Sequence, residues 1–122
     1  MAAALGIALA LTMQMQAVTP ASDVAFDELA AEQNRAAIEK LEAAPASGAQ
    51  DPAKLINLGI AYAREGQLDH ARALFEQAAR SEDRVRLETA TGEWVDSRWL
   101  AIRAIALLDA GEFGGSERLA AR

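Results

Sequence analysis

The chain's only histidine is its clearest candidate for acid–base or metal chemistry. His70 follows Asp69 at the start of an amphipathic segment, where we expect an exposed, solvated ring. A zinc site needs three or four protein ligands, drawn mainly from His, Cys and carboxylates, whereas the 122 residues include one His and no Cys. Ser–His catalysis would have to use His70, and no G-x-S-x-G motif accompanies it.

Carboxylates are abundant, but their positions do not suggest a catalytic pair. Asp27-Glu28 and Glu82-Asp83 are neighbours in sequence, and we expect both pairs at helix ends or on exposed faces. There is no G-x-x-x-x-G-K phosphate-binding loop, and Gly114-Gly115 is most simply a turn. The sequence therefore predicts no enzymatic activity, no cofactor and no metal.

The charge balance argues against nucleic acid as a partner. Lys and Arg number 12 against 18 Asp and Glu, for a formal net charge of -6, and an acidic chain repels a phosphate backbone. The one sizeable basic cluster (Arg80, Arg84 and Arg86) is interrupted by Glu82 and Asp83. We interpret this cluster as a solvated helix end.

The composition favours one compact helical domain. Hydrophobic residues make up 52% of the chain and aromatic residues only 5%, and alanine accounts for much of the apolar fraction. Alanine has the highest helix propensity, and its small side chain lets helices pack closely. A chain of this length can form one continuous core.

The N-terminal residues 1–21 carry no charged side chain and are predicted to be a signal peptide. Ala2 to Leu11 is an apolar run of the length of a signal-peptide core, and Thr19 and Ala21 are small residues ahead of a cut before Ser22. The pattern departs from the usual one because no Lys or Arg precedes the run. We predict export, most simply to a bacterial periplasm. An uncleaved membrane anchor and a cytosolic helix are the alternatives, and the run is short for a bilayer.

A helix pair is predicted directly after residue 50. Asp51 can cap a helix, with Pro52 at its first position, where the missing N–H costs nothing. The helix is expected to end at Gly66, because glycine adopts the left-handed conformation most readily. A second helical stripe follows it, composed of Leu68, Ala71, Leu74, Phe75 and Ala78.

One small residue in the first helix indicates close packing between the two helices. Gly59 lies mid-helix, where it costs about 1 kcal/mol relative to Ala, and Ala71 is expected opposite it. This choice of residues makes sense if the two backbones cross closely there, with Tyr62 and Phe75 filling space on either side.

The segment from Pro52 to Val85 resembles one tetratricopeptide repeat, a helix–turn–helix unit of 34 residues. The family pattern is W-x-x-L-G-x-x-Y, followed by a small residue, an aromatic residue, a small residue and a Pro. Asp83 replaces the final Pro. The other positions are filled by Leu55 (in the Trp position), Leu58, Gly59, Tyr62, Ala71, Phe75 and Ala78.

A shift of 34 residues reveals a degenerate copy over residues 23–44. Ala37, Leu41 and Ala44 align with the three small and aromatic positions of the second helix, which predicts a helix over about 34–44. The first helix of this copy is less regular, with Glu28 in the Tyr position, and Asp23 is its expected N-cap. Residues 45–48 are expected to form a loop.

The downstream sequence predicts an insertion and a third, degenerate unit over residues 97–122. Residues 85–95 alternate apolar and polar positions around a Gly-containing turn, which predicts a small β-hairpin. Trp99 to Leu108 follows as a strong helix, and the sequence around Gly111 resembles that around Gly66. Reaching that alignment requires about eleven extra residues, which the insertion supplies. Residues 116–122 are expected to form a short final helix.

The resemblance implies an all-α fold for residues 22–122, with antiparallel helix hairpins stacked in a short right-handed solenoid and a small hairpin inserted. Trp94 and Trp99 flank the start of the third unit. We expect them to pack the hairpin against the last helix pair. A partly exposed Trp that contacts a ligand is the alternative.

Proteins of this family usually bind peptides in a groove lined by the first helix of each pair. The matching positions here are Ala53, Ile56, Ile60, Ala63 and Arg64, with Asn57 beside them. The candidate binding residues among these are Ile56, Asn57, Ile60 and Arg64. Two isoleucines in this groove favour a hydrophobic helix or an extended peptide, or burial under the N-terminal helix. Two functions remain open: an exported adaptor or scaffold that binds an unidentified protein or peptide, and a self-associating unit, such as a homodimer, whose groove is filled by its own chain or a second copy.

Overall fold

A computed structural model describes residues 23–43, 51–113 and 119–122, and this part of the chain is mostly helical. Its elements are α1 (Phe26–Ala30), α2 (Asn34–Glu42), α3 (Pro52–Arg64), α4 (Leu68–Arg80), β1 (Arg86–Glu88), β2 (Trp94–Asp96) and α5 (Ser97–Asp109). The predicted signal peptide, the loop over 45–48 and the first three residues of the predicted final helix lie outside the described residues.

Helix α3 begins as the sequence predicts. The Asp51 side chain accepts a hydrogen bond of 2.9 Å from the Ala53 amide, and Pro52 occupies the first helical position. The helix ends one residue before Glu65, and Gly66 adopts a φ of 82°. The side-chain cap and the left-handed glycine satisfy backbone groups that a helix cannot satisfy internally.

Helices α3 and α4 pack antiparallel. The Tyr62 ring near the end of α3 stacks on His70 near the start of α4, with ring centroids 3.9 Å apart, while Gly59, earlier in α3, faces Phe75, later in α4. Contacts that run in opposite directions along the two helices require antiparallel axes. His70 is exposed at the helix start, as predicted.

The space beside Gly59 is filled by the Phe75 ring. A Cβ atom at Gly59 would lie 2.5 Å from Phe75 Cε1 and 2.8 Å from Cδ1, and real Cβ atoms essentially never approach so closely. The three nearest atoms all belong to the Phe75 ring, which was expected beside this contact. Ala71, expected opposite Gly59, is fully buried.

The core face of α4 matches the predicted stripe except at its first position. Leu68, the first residue of α4, is exposed. In α3, Leu55 and Tyr62 are buried while Leu58 is only partly buried. The buried residues of α4 are Ala71, Leu74, Phe75 and Ala78.

The same turn follows α1, α3 and α5. In each, a residue with positive φ follows the helix, and the next amide donates to a carbonyl five residues earlier, which closes the last turn. The positive-φ residues are Glu32 (57°), Gly66 (82°) and Gly111 (69°). The donors and acceptors are Gln33 to Glu28, Gln67 to Tyr62 and Glu112 to Leu107. The acceptors are 34 and 45 residues apart, so the turns recur at the predicted period and at that period plus eleven.

The predicted helix over 34–44 is confirmed as α2, but α1 is shorter than a full repeat helix. Asp23 accepts a hydrogen bond of 2.9 Å from the Ala25 amide, and the helix begins only at Phe26, after Ala25 with a φ of 57°. Asp23 therefore caps the approach to α1 rather than the helix itself.

The predicted hairpin and the helix after it are both present. Strands β1 and β2 pair antiparallel, with Leu87 opposite Val95, and both of these side chains are buried. Helix α5 follows β2 directly. The Asp96 side chain caps it by accepting a hydrogen bond of 2.9 Å from the Arg98 amide.

The prediction of a final helix is wrong for residues 119–122. Leu119 lies in a turn, and Ala121 forms an antiparallel bridge with Thr89, immediately after β1. The reason is tertiary: β1 offers unpaired backbone groups along its outer edge, and the end of the chain satisfies them. We call residues 119–122 the C-terminal segment.

Replacing Gly59 with Ala tests the close approach of Phe75. Alanine is the better helix former by about 1 kcal/mol, yet we expect a net loss of about 1–3 kcal/mol in the free energy of unfolding through overpacking. The ring is fully buried and stacked on Phe113 with centroids 5.7 Å apart, so it cannot move aside freely. Urea denaturation measures the change, and Phe75→Leu should recover part of it. A Gly59→Ala chain more stable than the parent would contradict this packing.

The only tyrosine of the chain links helices α2 and α3. The Tyr62 hydroxyl donates a hydrogen bond to Glu42 Oε1 at the end of α2. This bond, together with burial and the nearby carboxylate charge, raises the pKa of Tyr62 to about 12. The neutral phenol is therefore favoured in the folded chain relative to the unfolded chain.

The sign of this shift predicts alkaline sensitivity. A tyrosine in the unfolded chain has a pKa of about 10, so the stabilisation is complete below that pH and is lost as pH rises through about 12. Near-ultraviolet absorbance should show the phenol ionising above its usual range, and Glu42→Gln should bring the midpoint down. A midpoint at the ordinary value in the folded parent would contradict the contact.

Candidate functional site

The predicted groove positions on α3 are covered by the chain itself. Ile56, Asn57 and Ile60 are fully buried, and Arg64 is half-buried with Nη1 donating to the Leu29 carbonyl at 2.9 Å. Of the two interpretations left open by the sequence, a groove that binds a partner and a groove buried under the chain itself, the burial of these side chains favours the second. Burial under the N-terminal helix, the alternative drawn from the sequence, describes one side of it, because α1 contacts α3 through the Arg64 hydrogen bond.

Asn57 is the polar centre of this filled groove. Its Nδ2 donates to the Val24 carbonyl at 2.7 Å and to the Ala121 carbonyl at 2.8 Å, and its Oδ1 accepts from the Ala121 amide at 2.8 Å. An amide side chain has the same donor and acceptor groups as a peptide unit. It therefore pairs with the backbone of Ala121 as a neighbouring strand would.

The C-terminal segment is bound on its other side by β1. The Ala90 amide donates to the Ala120 carbonyl at 3.1 Å, and the Arg122 amide donates to the Glu88 carbonyl at 2.9 Å. These two bonds flank the pair of Thr89 and Ala121, which makes that pair a non-hydrogen-bonded one in the antiparallel ladder. The N–H and C=O of Ala121 consequently point away from β1, towards Asn57.

The apolar side chains of the C-terminal segment are buried. Ala120 and Ala121 are 2% and 0% exposed, and Leu119 is 7% exposed. Arg122 is exposed, and its guanidinium carbon lies 4.9 Å from the centre of the Phe26 ring, within range of a cation–π contact. The segment thus shows one apolar anchor, two enclosed alanines and one solvated cation.

The β-hairpin is fixed in place by polar contacts at its base. Arg84 pairs with Asp96 at 2.9 Å, and the Val85 amide donates to the buried Ser97 hydroxyl at 3.2 Å. Burial acts to raise the pKa of Asp96, but hydrogen bonds from the Arg98 amide and the Arg84 guanidinium outweigh it and hold that pKa below its usual value. The hairpin is therefore anchored to the start of α5.

Helix α1 is held on α2 by one lysine. Lys40 Nζ lies 2.7 Å from Asp23 and 2.6 Å from Glu28. Its hydrogen bonds hold the pKa of both carboxyls below the usual range. These exposed pairs contribute modest stability, but they place the Val24 carbonyl where Asn57 reaches it.

A second surface is formed by the two tryptophans. Trp94 and Trp99 are 57% and 59% exposed, and Ile102 lies one turn after Trp99 and is 43% exposed. The expectation that the tryptophans pack the hairpin against the last helices is corrected, since both are mostly exposed, whereas Leu87, Val95 and Leu100 are buried in the core. The alternative drawn from the sequence, partly exposed Trp side chains, describes what the structure shows.

Over residues 23–43, 51–113 and 119–122, no three His, Asp or Glu side chains are grouped as metal ligands would be. Within those same ranges, no helix combines the length and the apolar character that crossing a bilayer requires. The only histidine stacks on Tyr62 at the protein surface.

No protein-family model, no curated protein and no solved structure matches this chain.

Sequence reasoning placed Asn57 in the groove but missed what it binds. An amide between two isoleucines on a helix face that becomes buried must find hydrogen-bonding partners, and that requirement was readable from the sequence. The identity of the partners was not. Val24 and Ala121 contribute only backbone atoms to these bonds. Because every residue type has these atoms, the residue types at positions 24 and 121 do not indicate the contact.

Removing the Asn57 amide tests its part in the fold. We expect Asn57→Leu to lower the free energy of unfolding by about 3 kcal/mol, because two carbonyls and one amide are left buried without partners. Asn34→Ala is the matched control, since the Asn34 side chain makes only a 3.5 Å contact with Arg64 and should cost little. Equal stability loss for the two variants in urea denaturation would contradict the central role of Asn57.

Proposed function

We propose that this chain is an exported, tetratricopeptide-like interaction module, an adaptor or scaffold that binds a protein or peptide partner. The observation that carries the proposal is the way α3 holds an extended segment. Asn57 pairs with the backbone of Ala121 through two hydrogen bonds, as a groove that recognises extended peptides would do.

The repeated turn supports the solenoid part of the proposal. Three similar helix-ending turns, spaced by 34 and by 45 residues, follow α1, α3 and α5, the first helix of each proposed unit. Stacked units of this kind bury a continuous core from about three copies upward. We propose that α1–α2, α3–α4 and α5 are three units of a short right-handed solenoid, with the hairpin inserted before the third.

Export is proposed on the N-terminal sequence alone. Residues 1–21 have the apolar run and the small residues ahead of position 22 that a signal peptide requires, and a periplasmic location follows from it. N-terminal sequencing of the mature protein from a secreting host tests this, with Ser22 as the expected first residue.

Self-association is the second candidate function, and one observation favours it. The bound segment belongs to the chain itself, so every copy of the protein presents the same ligand to every other copy. Light scattering distinguishes the two functions, because obligate self-association predicts a dimer at micromolar concentration. The adaptor function predicts a monomer under the same conditions.

Peptide binding in trans is the direct test of the adaptor function. The full chain with Ala121→Arg should not seat its own segment, because position 121 is fully enclosed. A labelled peptide of residues 117–122 (Glu-Arg-Leu-Ala-Ala-Arg) should then bind with a Kd on the order of 100 μM, as expected for a short peptide with few buried side chains. Fluorescence polarisation measures this binding.

The matched control adds Asn57→Leu to the same chain and should abolish the polarisation change, whereas Asn34→Ala should not. Circular dichroism checks that each variant is folded. A folded Ala121→Arg chain that shows no saturable binding up to about 2 mM peptide would count against the adaptor function. A Kd above that concentration corresponds to a binding free energy smaller in magnitude than about 4 kcal/mol, which is too weak for specific recognition.

A further inference from the structure

We propose that the binding site for this partner is a strand-shaped slot between Asn57 and the outer edge of β1. We further propose that its ligands are extended segments with two adjacent small residues, and that the C-terminal segment is the slot's own competing occupant. This inference rests on the proposed function and adds to it the site, the class of ligand and the means by which binding is limited.

The slot forms hydrogen bonds with the backbone of its occupant on both sides. On the β1 side, the Glu88 carbonyl accepts a hydrogen bond from the Arg122 amide, and the Ala90 amide donates one to the Ala120 carbonyl. On the other side, Asn57 donates to and accepts from Ala121. Four hydrogen bonds to backbone atoms require an extended occupant, and none of them depends on its side chains.

Sequence selectivity comes from the room left for side chains. The positions of Ala120 and Ala121 are almost completely enclosed, and Thr89 packs opposite Ala121 as a buried side chain. Only small residues fit two successive enclosed positions, because close-packed interiors do not accommodate additional methylene groups cheaply. Leu119 adds one apolar anchor, and Arg122 reaches solvent over the Phe26 ring.

The chain's own segment limits access to this slot. A ligand from another molecule binds only the fraction of molecules whose slot is free, so its apparent affinity falls by that fraction. The tethered segment is present at high effective concentration because it belongs to the same chain. The slot therefore favours partners presented in several copies or with a better-fitting segment.

A reversible covalent lock tests the slot in the full chain. Thr89 and Ala121 form a non-hydrogen-bonded antiparallel pair, whose Cα atoms lie about 4.5 Å apart in such ladders, within the range that a disulfide spans. The chain has no cysteine, so Thr89→Cys/Ala121→Cys can form only one disulfide within a molecule, and the oxidised monomer is separated from disulfide-linked dimers by size-exclusion chromatography. Oxidation holds the segment in the slot, and reduction releases it.

The probe is the labelled peptide of residues 117–122, titrated into the oxidised and the reduced double variant. We expect binding to the reduced form and at least about tenfold weaker binding to the oxidised form, a difference of about 1.4 kcal/mol or more. The single variant Ala121→Cys is the control, and its binding should not depend on the reductant. Equal binding to both forms of the double variant would overturn the slot while leaving the adaptor function standing.

Peptide variants test the class of ligand. Leucine in place of the alanine that matches Ala121 should weaken binding about tenfold or more through overpacking. Lysine in place of the arginine that matches Arg122 should change it little, because that side chain is exposed. Equal losses at the two positions would overturn the small-residue rule. Failure of every peptide to bind the folded Ala121→Arg chain, which should not seat its own segment, would overturn the slot and the adaptor function together.

The parent chain provides a second measurement that does not depend on a variant folding. With isotope-labelled protein and excess unlabelled peptide, the amide signals of Ala120, Ala121 and Arg122 should move to positions typical of free chain. The Asn57 side-chain amide should keep its bonded shift, since one backbone replaces another. Segment signals that stay unchanged while the peptide binds elsewhere would overturn the slot.

Discussion

Burying one amide side chain determines how the two ends of the described chain are arranged. Asn57 lies in the middle of an apolar helix face, and leaving its polar atoms without partners there would cost several kcal/mol. The cost is avoided because Val24 and Ala121 bring three backbone groups to it. Two segments far apart in sequence are thereby held against the same turn of α3.

The rest of the fold provides a rigid frame for this contact. The close approach of Phe75 to Gly59 packs α4 tightly onto α3, and the outer edge of β1 pairs with the C-terminal segment through the Thr89–Ala121 bridge. A strand edge with unpaired backbone groups attracts another extended segment. Placing such an edge opposite an amide side chain creates a slot that satisfies both sides of a peptide backbone, and this geometry is the basis of the proposed binding function.

Prediction from the sequence succeeded where the signal was local. Asp51 and Pro52 indicated the start of α3, and Gly66 its end, because capping and positive φ depend on a few adjacent residues. Prediction failed for the C-terminal residues, where a helix was expected and an extended segment is found. Alanine-rich residues favour helix intrinsically, and only the presence of β1 nearby overrides that preference.

The candidate site divides in the same way. From the sequence, the resemblance to a tetratricopeptide repeat implied that Asn57 lies beside Ile56 and Ile60 on the groove face of α3. Whether that face is open, and what covers it, was decided by the tertiary structure. The atoms that cover it are backbone atoms of Val24 and Ala121. Every residue type has the same backbone atoms, so the sequence could not predict which residues would provide them.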